Sequence, residues 1–335
     1  MNQKDMPLVT AVVPVYNHDK YVIESIRSIL NQTYHNIELI VINDGSKDGS
    51  HELVLSLTEE CWQRFVRYEY INRENIGVSA TLNQALSMAK GKYFTALASD
   101  DIAFPGKVEL LVDTLEAKGP PYAAAFGNAL FIDSKGKEVR LDNKGRISEN
   151  AGSYASDKFI EFHAGARIRN CMGNDFGTYK TLIEGNYLPA MSNVIRTTAI
   201  SEVGGWTAGN LIEDWEMWLK LAKGYKLAYV DAPVAFYRWH EMNSVKVGES
   251  APCLYASLQL VDREEEYCQK NGIIALWSKS HNRIVYELMR NRQFPIRSKL
   301  SLFTNKNTQL ALMFSIGLTW RKFMRNFRKL KPSRR

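Results

Sequence analysis

Two adjacent carboxylates, Asp100 and Asp101, follow an apolar run that begins at Tyr93. Like charges so close together raise each other's pKa unless a cation or hydrogen-bond donors stabilise them. One interpretation is a divalent metal site, because Mg²⁺ and Mn²⁺ prefer hard carboxylate oxygens. The structural alternative is that the pair caps a turn or the next helix, as acidic residues at strand ends commonly do.

Three other stretches carry residue types that do chemistry, and each also has an ordinary structural interpretation. Asp44 lies in Asn43-Asp-Gly-Ser46, a sequence typical of an Asx or type I turn. Glu213 and Asp214 precede a helical apolar stripe, where acids stabilise the first turn through the helix dipole. His240 ends Tyr-Arg-Trp-His and is compatible with a satisfied loop histidine.

The elements that must position these side chains alternate regularly over the first hundred residues. Apolar runs predict strands over 8–14, 37–42, 65–71 and 93–98, and amphipathic spacing predicts helices over 22–30, 50–58, 78–89 and 107–118. Such alternation indicates an α/β fold with a mostly parallel, helix-covered sheet, in which ligands bind beyond the carboxyl ends of the strands. Asp100 and Asp101 lie at that edge. Residues 134–156 are polar and glycine-rich and are typical of a long loop or hairpin insertion.

Four ordered blocks of the chain resemble the family 2 glycosyltransferases. They are the VTAVVPVYN and VINDGSKDGS region, the NIGVSATLNQALSMAKGKYFTALASDD region, GGWTAGNLIEDWEMWLKLA, and YRWH, which together cover roughly residues 8–245. The resemblance implies a GT-A fold, a nucleotide-diphosphate sugar donor, Mg²⁺ or Mn²⁺ as cofactor, and inversion at the anomeric carbon.

Carried over residue by residue, the resemblance assigns a set of nucleotide-sugar contacts. Asp44 would accept from a pyrimidine N–H, and Asp100 would contact the ribose or the metal. Asp101 matches the last acid of the family's D-x-D and would coordinate the metal with His240, although Ser99 stands where the first acid is expected. The full set of nucleotide-sugar contacts implied is Pro14, Tyr16, Asp44, Asn75, Asp100 and Arg238.

The resemblance places the acceptor chemistry in the third block. Asp214 would be the general base that takes the proton of the acceptor hydroxyl, and a base in hydrogen-bond reach contributes about 10²–10⁴-fold. Glu213 and Trp206 would lie on the acceptor side, with Trp206 offering an aromatic face to a sugar ring. Packing in the core is an equal alternative for Trp206.

Charge and composition divide the 335-residue chain unevenly. Residues 321–335 carry eight Lys and Arg and no acid, whereas the remainder has 35 basic and 36 acidic residues, so the net charge of +7 does not indicate a nucleic-acid partner. Apolar positions 320, 323, 324, 327 and 330 share one helical face, which is typical of a membrane-surface helix, although a solvated basic end is equally compatible. We expect a GT-A domain over 1–248, with a nucleotide-binding half over 1–104 and an acceptor half over 105–248, and a helical extension over 249–335.

Other sequence features constrain location and function class. The four cysteines are scattered, which argues against a zinc site or a disulfide framework, and no signal or membrane-spanning segment is apparent. We expect a cytoplasmic enzyme, peripheral at the inner membrane face, that glycosylates a lipid-linked saccharide in surface polysaccharide synthesis from a UDP-sugar or dTDP-rhamnose. The alternative is a non-catalytic nucleotide-sugar or membrane-surface binding protein. A dinucleotide-dependent dehydrogenase is disfavoured, because the first strand lacks a following G-x-G-x-x-G.

Overall fold

The computed structural model describes residues 6–148, 155–165, 173–241, 243, 250–291 and 293–294. The chain forms two compact units, Met1–Glu241 and Met242–Arg335. The boundary predicted at residue 248 and the basic tail over 320–335 lie outside the described residues.

The first unit is built on a sheet of eight strands in the order β3-β2-β1-β4-β9-β6-β10-β5. Strands β9 and β5 run antiparallel to their neighbours, and the other six are parallel. The carboxyl ends of β1, β2, β3, β4, β6 and β10 therefore share one edge. Their bounds are β1 Val9–Val15, β2 Ile37–Asp44, β3 Arg67–Arg73, β4 Tyr93–Ala96, β5 Ile102–Ala103, β6 Tyr122–Asp133, β9 Asn193–Arg196 and β10 Lys226–Trp239.

The helices that cover this sheet follow the predicted alternation closely, and a short 3₁₀ turn over Ala190–Ser192 precedes β9. One difference is that the helix expected over 50–58 ends at Leu55 and a second helix begins at Thr58. The helices are α1 Val22–Leu30, α2 Ser50–Leu55, α3 Thr58–Arg64, α4 Val78–Met88, α5 Lys107–Lys118, α6 Phe159–Ala164, α7 Tyr179–Leu182, α8 Thr197–Glu202 and α9 Glu213–Ala222.

Burial explains why these segments form a parallel sheet. Every residue of β2 is buried, as in a strand covered by helices on both faces. In α1 the apolar residues Val22, Ile26 and Ile29 are all buried, so the helix packs on the sheet along a single stripe. The α/β, mostly parallel fold class is confirmed. Within the predicted 134–156 insertion, β7 (Arg140–Leu141) and β8 (Ile147–Ser148) form a small antiparallel hairpin.

The second unit is helical over its described part. Its helices are α10 Ala251–Arg263, α11 Glu265–Lys270 and α12 Ile274–Arg290. Trp277 of α12 is buried, and its Nε1 donates to the carbonyl of Val261 in α10 at 2.7 Å. No helix among the described residues is long and apolar enough to cross a membrane.

Candidate active site

Loops that follow four parallel strands meet at the carboxyl edge of the sheet. Asn17, after β1, has a positive φ of 53°; its backbone N–H donates to Ser46 Oγ, and its Oδ1 accepts the N–H of Lys47. Asn17 thereby ties the end of β1 to the turn after β2. Asparagine tolerates this left-handed conformation better than most residues.

Asp44, at the end of β2, is held by donors from the loop after β3. Its Oδ1 accepts the N–H of Ile76 at 2.9 Å, its Oδ2 accepts the N–H of Gly77 at 2.9 Å, and its carboxylate pairs with Arg73. The Asn75 side chain donates to the Asp44 carbonyl at 2.9 Å. Three donors fix the carboxylate in one orientation, and an ionised carboxylate has about four acceptor positions, which leaves room for one further donor.

The other predicted nucleotide contacts of this region lie on the same edge. Pro14 is part of β1, and Tyr16, directly beyond the strand, is 50% exposed. An exposed aromatic ring and a buried, oriented carboxylate on one sheet edge can serve a nucleobase, the ring by stacking on it and the carboxylate by accepting an N–H. The structure brings Pro14, Tyr16, Asp44 and Asn75 to one edge, and their roles stay predictions.

Asp100 forms a cluster with two histidines that the strands bring together. His240, directly after β10, approaches Asp100 Oδ2 with its Nε2 at 2.9 Å. His18, in the loop after β1, places its Nε2 3.8 Å from the same oxygen, and its Nδ1 lies 2.7 Å from Ser99 Oγ. Asp100 and His240 are buried, and His18 is partly buried. Sequence reasoning missed His18, although its position just beyond the first strand was a usable signal.

This cluster offers the donor set of a divalent metal site. Ligand atoms of His18, Asp100 and His240 all lie within 4.8 Å of one another. Two imidazole nitrogens and one carboxylate oxygen are suitable ligands for first-row divalent ions. Burial works to raise the pKa of Asp100, but the hydrogen bond to His240 and the nearby histidines outweigh it and hold the pKa below its usual value. Burial lowers the pKa of His18. The residues therefore fit a metal.

Asp101, to which the resemblance gave the metal, is engaged outside this cluster. It is 1% exposed, and its Oδ1 accepts the backbone N–H of Arg238 at 3.0 Å. Burial and the neighbouring Asp100 raise its pKa well above the usual value. The nearby Lys107 is fully buried and donates to the carbonyl of Met191 at 2.7 Å, and burial lowers its pKa to about 7. Asp101 thus ties the segment after β4 to β10, and the carboxylate that meets His240 belongs to Asp100.

Arg238, predicted to contact the donor, is engaged with the protein instead. Its Nε donates to the Asp100 carbonyl at 2.8 Å, and its guanidinium pairs with Glu24 of α1 and lies 4.7 Å from the centre of the Tyr21 ring. Only 1% of Arg238 is exposed. These contacts hold the backbone of Asp100, and a contact of Arg238 with the donor stays a prediction.

Glu213 and Asp214 begin α9 at the side of a cavity of about 50 Å³. Asp214 Oδ2 accepts from the Asn186 side chain at 2.7 Å, and Oδ1 accepts the N–H of Trp215 at 2.7 Å. Burial raises the pKa of Asp214, and burial together with the Asp214 charge raises the pKa of Glu213 to about 8. A carboxylate oriented by two donors with a raised pKa has the properties of a general base.

Trp206 lies in the wall of the same cavity. Its ring centre lies 5.6 Å from that of Phe94, and 7% of the residue is exposed. The Asn83 side chain accepts a hydrogen bond from the backbone N–H of Trp206 and donates one to its carbonyl. Trp206 therefore packs in the core, beside the cavity that Glu213 and Asp214 also line. Apolar residues lining the cavity with it are Leu82, Phe94, Ala96, Ala190, Ile195 and Trp218.

Comparisons with known proteins show the family and the fold of the chain. The model of "Glycosyl transferase family 2" matches residues 10–177. An uncharacterized glycosyltransferase of Haemophilus influenzae is 46% identical over 130 residues, which cover 38% of this chain and 38% of that protein. The chain therefore spans well under half the length of this curated relative.

Two solved structures share the fold. The mannosyltransferase PcManGT from Pyrobaculum calidifontis, in complex with GDP-Man and Mn²⁺, has a TM-score of 0.58 and 15% identity and covers 97% of this chain and 84% of its own. S. aureus TarS 1-349, in complex with UDP-GlcNAc, has a TM-score of 0.54 and 13% identity, with 98% and 93% covered. At these identities the likeness shows the fold, which is GT-A, and the family match covers half of the chain. The chain belongs to glycosyl transferase family 2.

Proposed function

We propose that this glycosyltransferase transfers a sugar, with inversion, from a nucleotide-diphosphate donor to a hydroxyl group of a saccharide acceptor. The observation that carries this proposal is the Asp214 carboxylate, oriented by Asn186 and Trp215 beside a cavity that is also lined by Ala96 of β4. The chain runs from Ala96, the last residue of β4, to Asp100 within four residues. The cavity beside the candidate base and the candidate diphosphate site therefore share the segment that follows β4.

Residues on the sheet edge would bind the donor. Tyr16 would stack on the base, and Asp44, held by the loop after β3, would accept one base N–H. A divalent ion held by Asp100 and His240 would neutralise the diphosphate as it leaves. Arg238 and Asp101 hold the Asp100 segment against β10, so the carboxylate keeps its place when the donor enters.

Asp214 would act on the acceptor. As the acceptor oxygen forms its bond to the anomeric carbon, its proton passes to an Asp214 oxygen. The bond between that carbon and the phosphate oxygen breaks, and its electron pair leaves with the nucleoside diphosphate. Attack opposite the leaving group inverts the anomeric centre. A protonated Glu213 beside Asp214 limits the negative charge at this point to a single carboxylate.

The donor and the setting are part of the same proposal. The two fold neighbours are described with GDP-Man and UDP-GlcNAc, which supports a nucleotide sugar as the donor class. We propose a UDP-sugar or dTDP-rhamnose donor, Mg²⁺ or Mn²⁺, a lipid-linked acceptor in surface polysaccharide synthesis, and work at the cytoplasmic membrane face. The basic, amphipathic residues 320–335 support the membrane setting.

A panel of UDP-, GDP- and dTDP-sugars tests the proposal by metal-dependent release of nucleoside diphosphate. With the best donor, Asp214→Asn should keep donor affinity and lower turnover about 10²-fold or more, because it removes a group that acts in the transition state. Asp113→Asn, an exposed acid on α5, is the matched control. Near-normal turnover of the Asp214 variant would place the base elsewhere, and binding without turnover of any donor would favour a non-catalytic protein.

A further inference from the structure

The least expected member of the cluster at the strand ends is His18. It lies 82 residues before Asp100 in the chain, and its Nε2 is 3.8 Å from Asp100 Oδ2, which is too long for a hydrogen bond. His240 Nε2 approaches the same oxygen at 2.9 Å. One carboxylate oxygen thus faces two imidazole nitrogens that follow different strands.

The two imidazole nitrogens lie at distances from Asp100 Oδ2 that ligands of one metal ion can have. With bonds of about 2.1 Å, two ligand atoms lie about 3.0 Å apart at a right angle and about 4.2 Å apart on opposite sides of the ion. The separation of 2.9 Å is close to the right-angle value, that of 3.8 Å lies between the two values, and all three ligand atoms lie within 4.8 Å of one another. The two imidazole rings lie at 89° to each other, with their centres 6.1 Å apart.

Neighbouring groups contact the two histidine rings and hold the backbone of Asp100. Ser99 Oγ lies 2.7 Å from His18 Nδ1, which directs the opposite nitrogen, Nε2, toward Asp100. A ligating histidine usually has such a partner on its other nitrogen. Tyr21 packs against the His240 ring at 5.3 Å, and Arg238 holds the Asp100 backbone. Ser99, which replaces an acid of the expected D-x-D, therefore has a role of its own as the orienting partner of His18.

We propose that His18 is a third protein ligand of the divalent ion, with Asp100 and His240, and that this set selects Mn²⁺ over Mg²⁺. Mg²⁺ takes oxygen ligands and keeps several waters, whereas imidazole suits the first-row transition metals. The inference rests on the proposed function, since the same ion would meet the diphosphate. It adds that three protein ligands retain Mn²⁺ when no nucleotide is bound.

Mn²⁺ binding to the full chain without nucleotide tests this inference. Electron paramagnetic resonance of free Mn²⁺ gives the affinity, and electron spin echo spectra of the bound ion report coupling to ligand nitrogens. We expect one Mn²⁺ per chain, coupling to two imidazole nitrogens, and binding of Mg²⁺ at least tenfold weaker in competition. The nitrogen signal is read on the intact protein and does not depend on the folding of any variant.

Variants assign the nitrogens. His18→Ala should remove one nitrogen coupling and weaken Mn²⁺ binding at least tenfold, and Ser99→Ala should weaken it about 10-fold to 100-fold, as loss of an orienting partner does. His35→Gln, an exposed histidine on the same unit, is the control and should leave both readouts unchanged.

Three results would overturn the inference. They are the absence of Mn²⁺ binding without nucleotide, Mg²⁺ binding as tight as that of Mn²⁺, and an unchanged nitrogen signal in a folded His18→Ala protein. The proposed function is tested separately. If the chain binds Mn²⁺ through two nitrogens but releases no nucleotide from any sugar donor, the metal site stands and the proposed reaction is wrong. If the chain transfers a sugar and its metal site does not require His18, the proposed reaction stands and the three-ligand site is wrong.

Discussion

At the residue scale, burial and the neighbouring Asp214 favour the protonated form of Glu213. Burial and the adjacent carboxylate raise its pKa to about 8, from an ordinary value of 4.5. Two ionised carboxylates at the start of α9 would repel each other beside an apolar cavity, so the site keeps one of them neutral near pH 7. Asp214, whose carboxylate accepts from Asn186 and from the N–H of Trp215, is the better oriented of the two to act as the base.

A Glu213→Gln variant should change how stability depends on pH. The folded chain binds a proton that the unfolded chain releases between about pH 4.5 and pH 8, so the free energy of unfolding falls as pH rises through that window and then levels off. The variant should lack this contribution, which amounts to at most about 1.4 kcal/mol per pH unit. Urea unfolding from pH 5 to pH 9 measures it.

The exposed Glu52 on α2 provides the control for this pH series. Glu52→Gln should leave the slope unchanged, because an exposed carboxylate has nearly the same environment in the folded and unfolded chain. If the free energy of unfolding of Glu213→Gln and that of the intact protein change in parallel from pH 5 to pH 8, Glu213 has an ordinary pKa. The pair would then carry two negative charges near pH 7, which contradicts this interpretation of the site.

At the element scale, the turn after β2 has one position that requires glycine. Gly45 has φ of 74°, and a Cβ there would lie 2.6 Å from the backbone nitrogen of Asn75. The loop after β3, which holds Asp44, thus packs directly on this glycine. Gly49 lies nearby at an ordinary φ of −73°, and a Cβ there would have a 3.8 Å contact.

Gly45→Ala should therefore damage both stability and donor binding. We expect a loss of about 2 kcal/mol or more in the free energy of unfolding, since the left-handed conformation alone costs about 1–2 kcal/mol for a residue with a Cβ. Nucleotide-sugar affinity should fall as the donors that hold Asp44 shift. Gly49→Ala should change stability by about 1 kcal/mol or less. Equal effects of the two substitutions, in urea unfolding and in donor titration, would show that the close packing on Gly45 does not position Asp44.

A buried glutamate joins three elements at the opposite end of the parallel strands. Glu38 of β2 accepts from Thr10 of β1 at 2.5 Å, from the N–H of Lys90 at 2.6 Å, and from Arg67 of β3 at 2.8 Å. Burial works to raise its pKa, but these donors outweigh burial and lower it. Its stabilising contribution is therefore present above its ordinary pKa and is lost as pH falls through the lowered value.

Glu38→Gln should destabilise the sheet by about 1–3 kcal/mol at pH 7, because the donors from Thr10, Lys90 and Arg67 lose a buried charged acceptor. Glu69→Gln is a matched control, since Glu69 also pairs with Arg67 but its side chain is 42% exposed, and an exposed pair contributes about 1 kcal/mol or less. The midpoint of urea unfolding reports both effects. Comparable midpoints for the two variants would show that burial of Glu38 adds nothing to the pair.

At the scale of the whole molecule, residues 320–335 lie outside the described structure and carry a prediction from charge alone. Each Lys or Arg near an anionic surface contributes about 1 kcal/mol, so the eight basic residues there favour membrane binding. Truncation before residue 320 should release the chain from phosphatidylglycerol vesicles, and salt should weaken binding of the full chain. Sedimentation with vesicles measures this. Equal sedimentation of the truncated chain would show that the tail is a solvated end.

Taken by itself, the sequence determined the first four strands, the helices between them and the edge that carries the polar residues. Those features follow from local periodicity, since a strand alternates every two residues and a helix repeats every 3.6. The four ordered blocks were enough to indicate the family and the GT-A fold. Periodicity cannot predict the antiparallel β9 between β4 and β6, because that order depends on pairing between strands about a hundred residues apart along the chain.

Only the tertiary structure decided which acid of the Asp100–Asp101 pair meets the histidines. Adjacent side chains leave the backbone in different directions, so Asp100 reaches His18 and His240 while Asp101 bonds to Arg238 and lies near buried Lys107. Their partners lie up to 140 residues away in sequence and become neighbours only when β1, β4 and β10 align their ends. Side-chain direction and long-range register are properties of the assembled sheet, and for that reason neither the approach of His18 to Asp100 nor the buried role of Arg238 was readable from the residues alone.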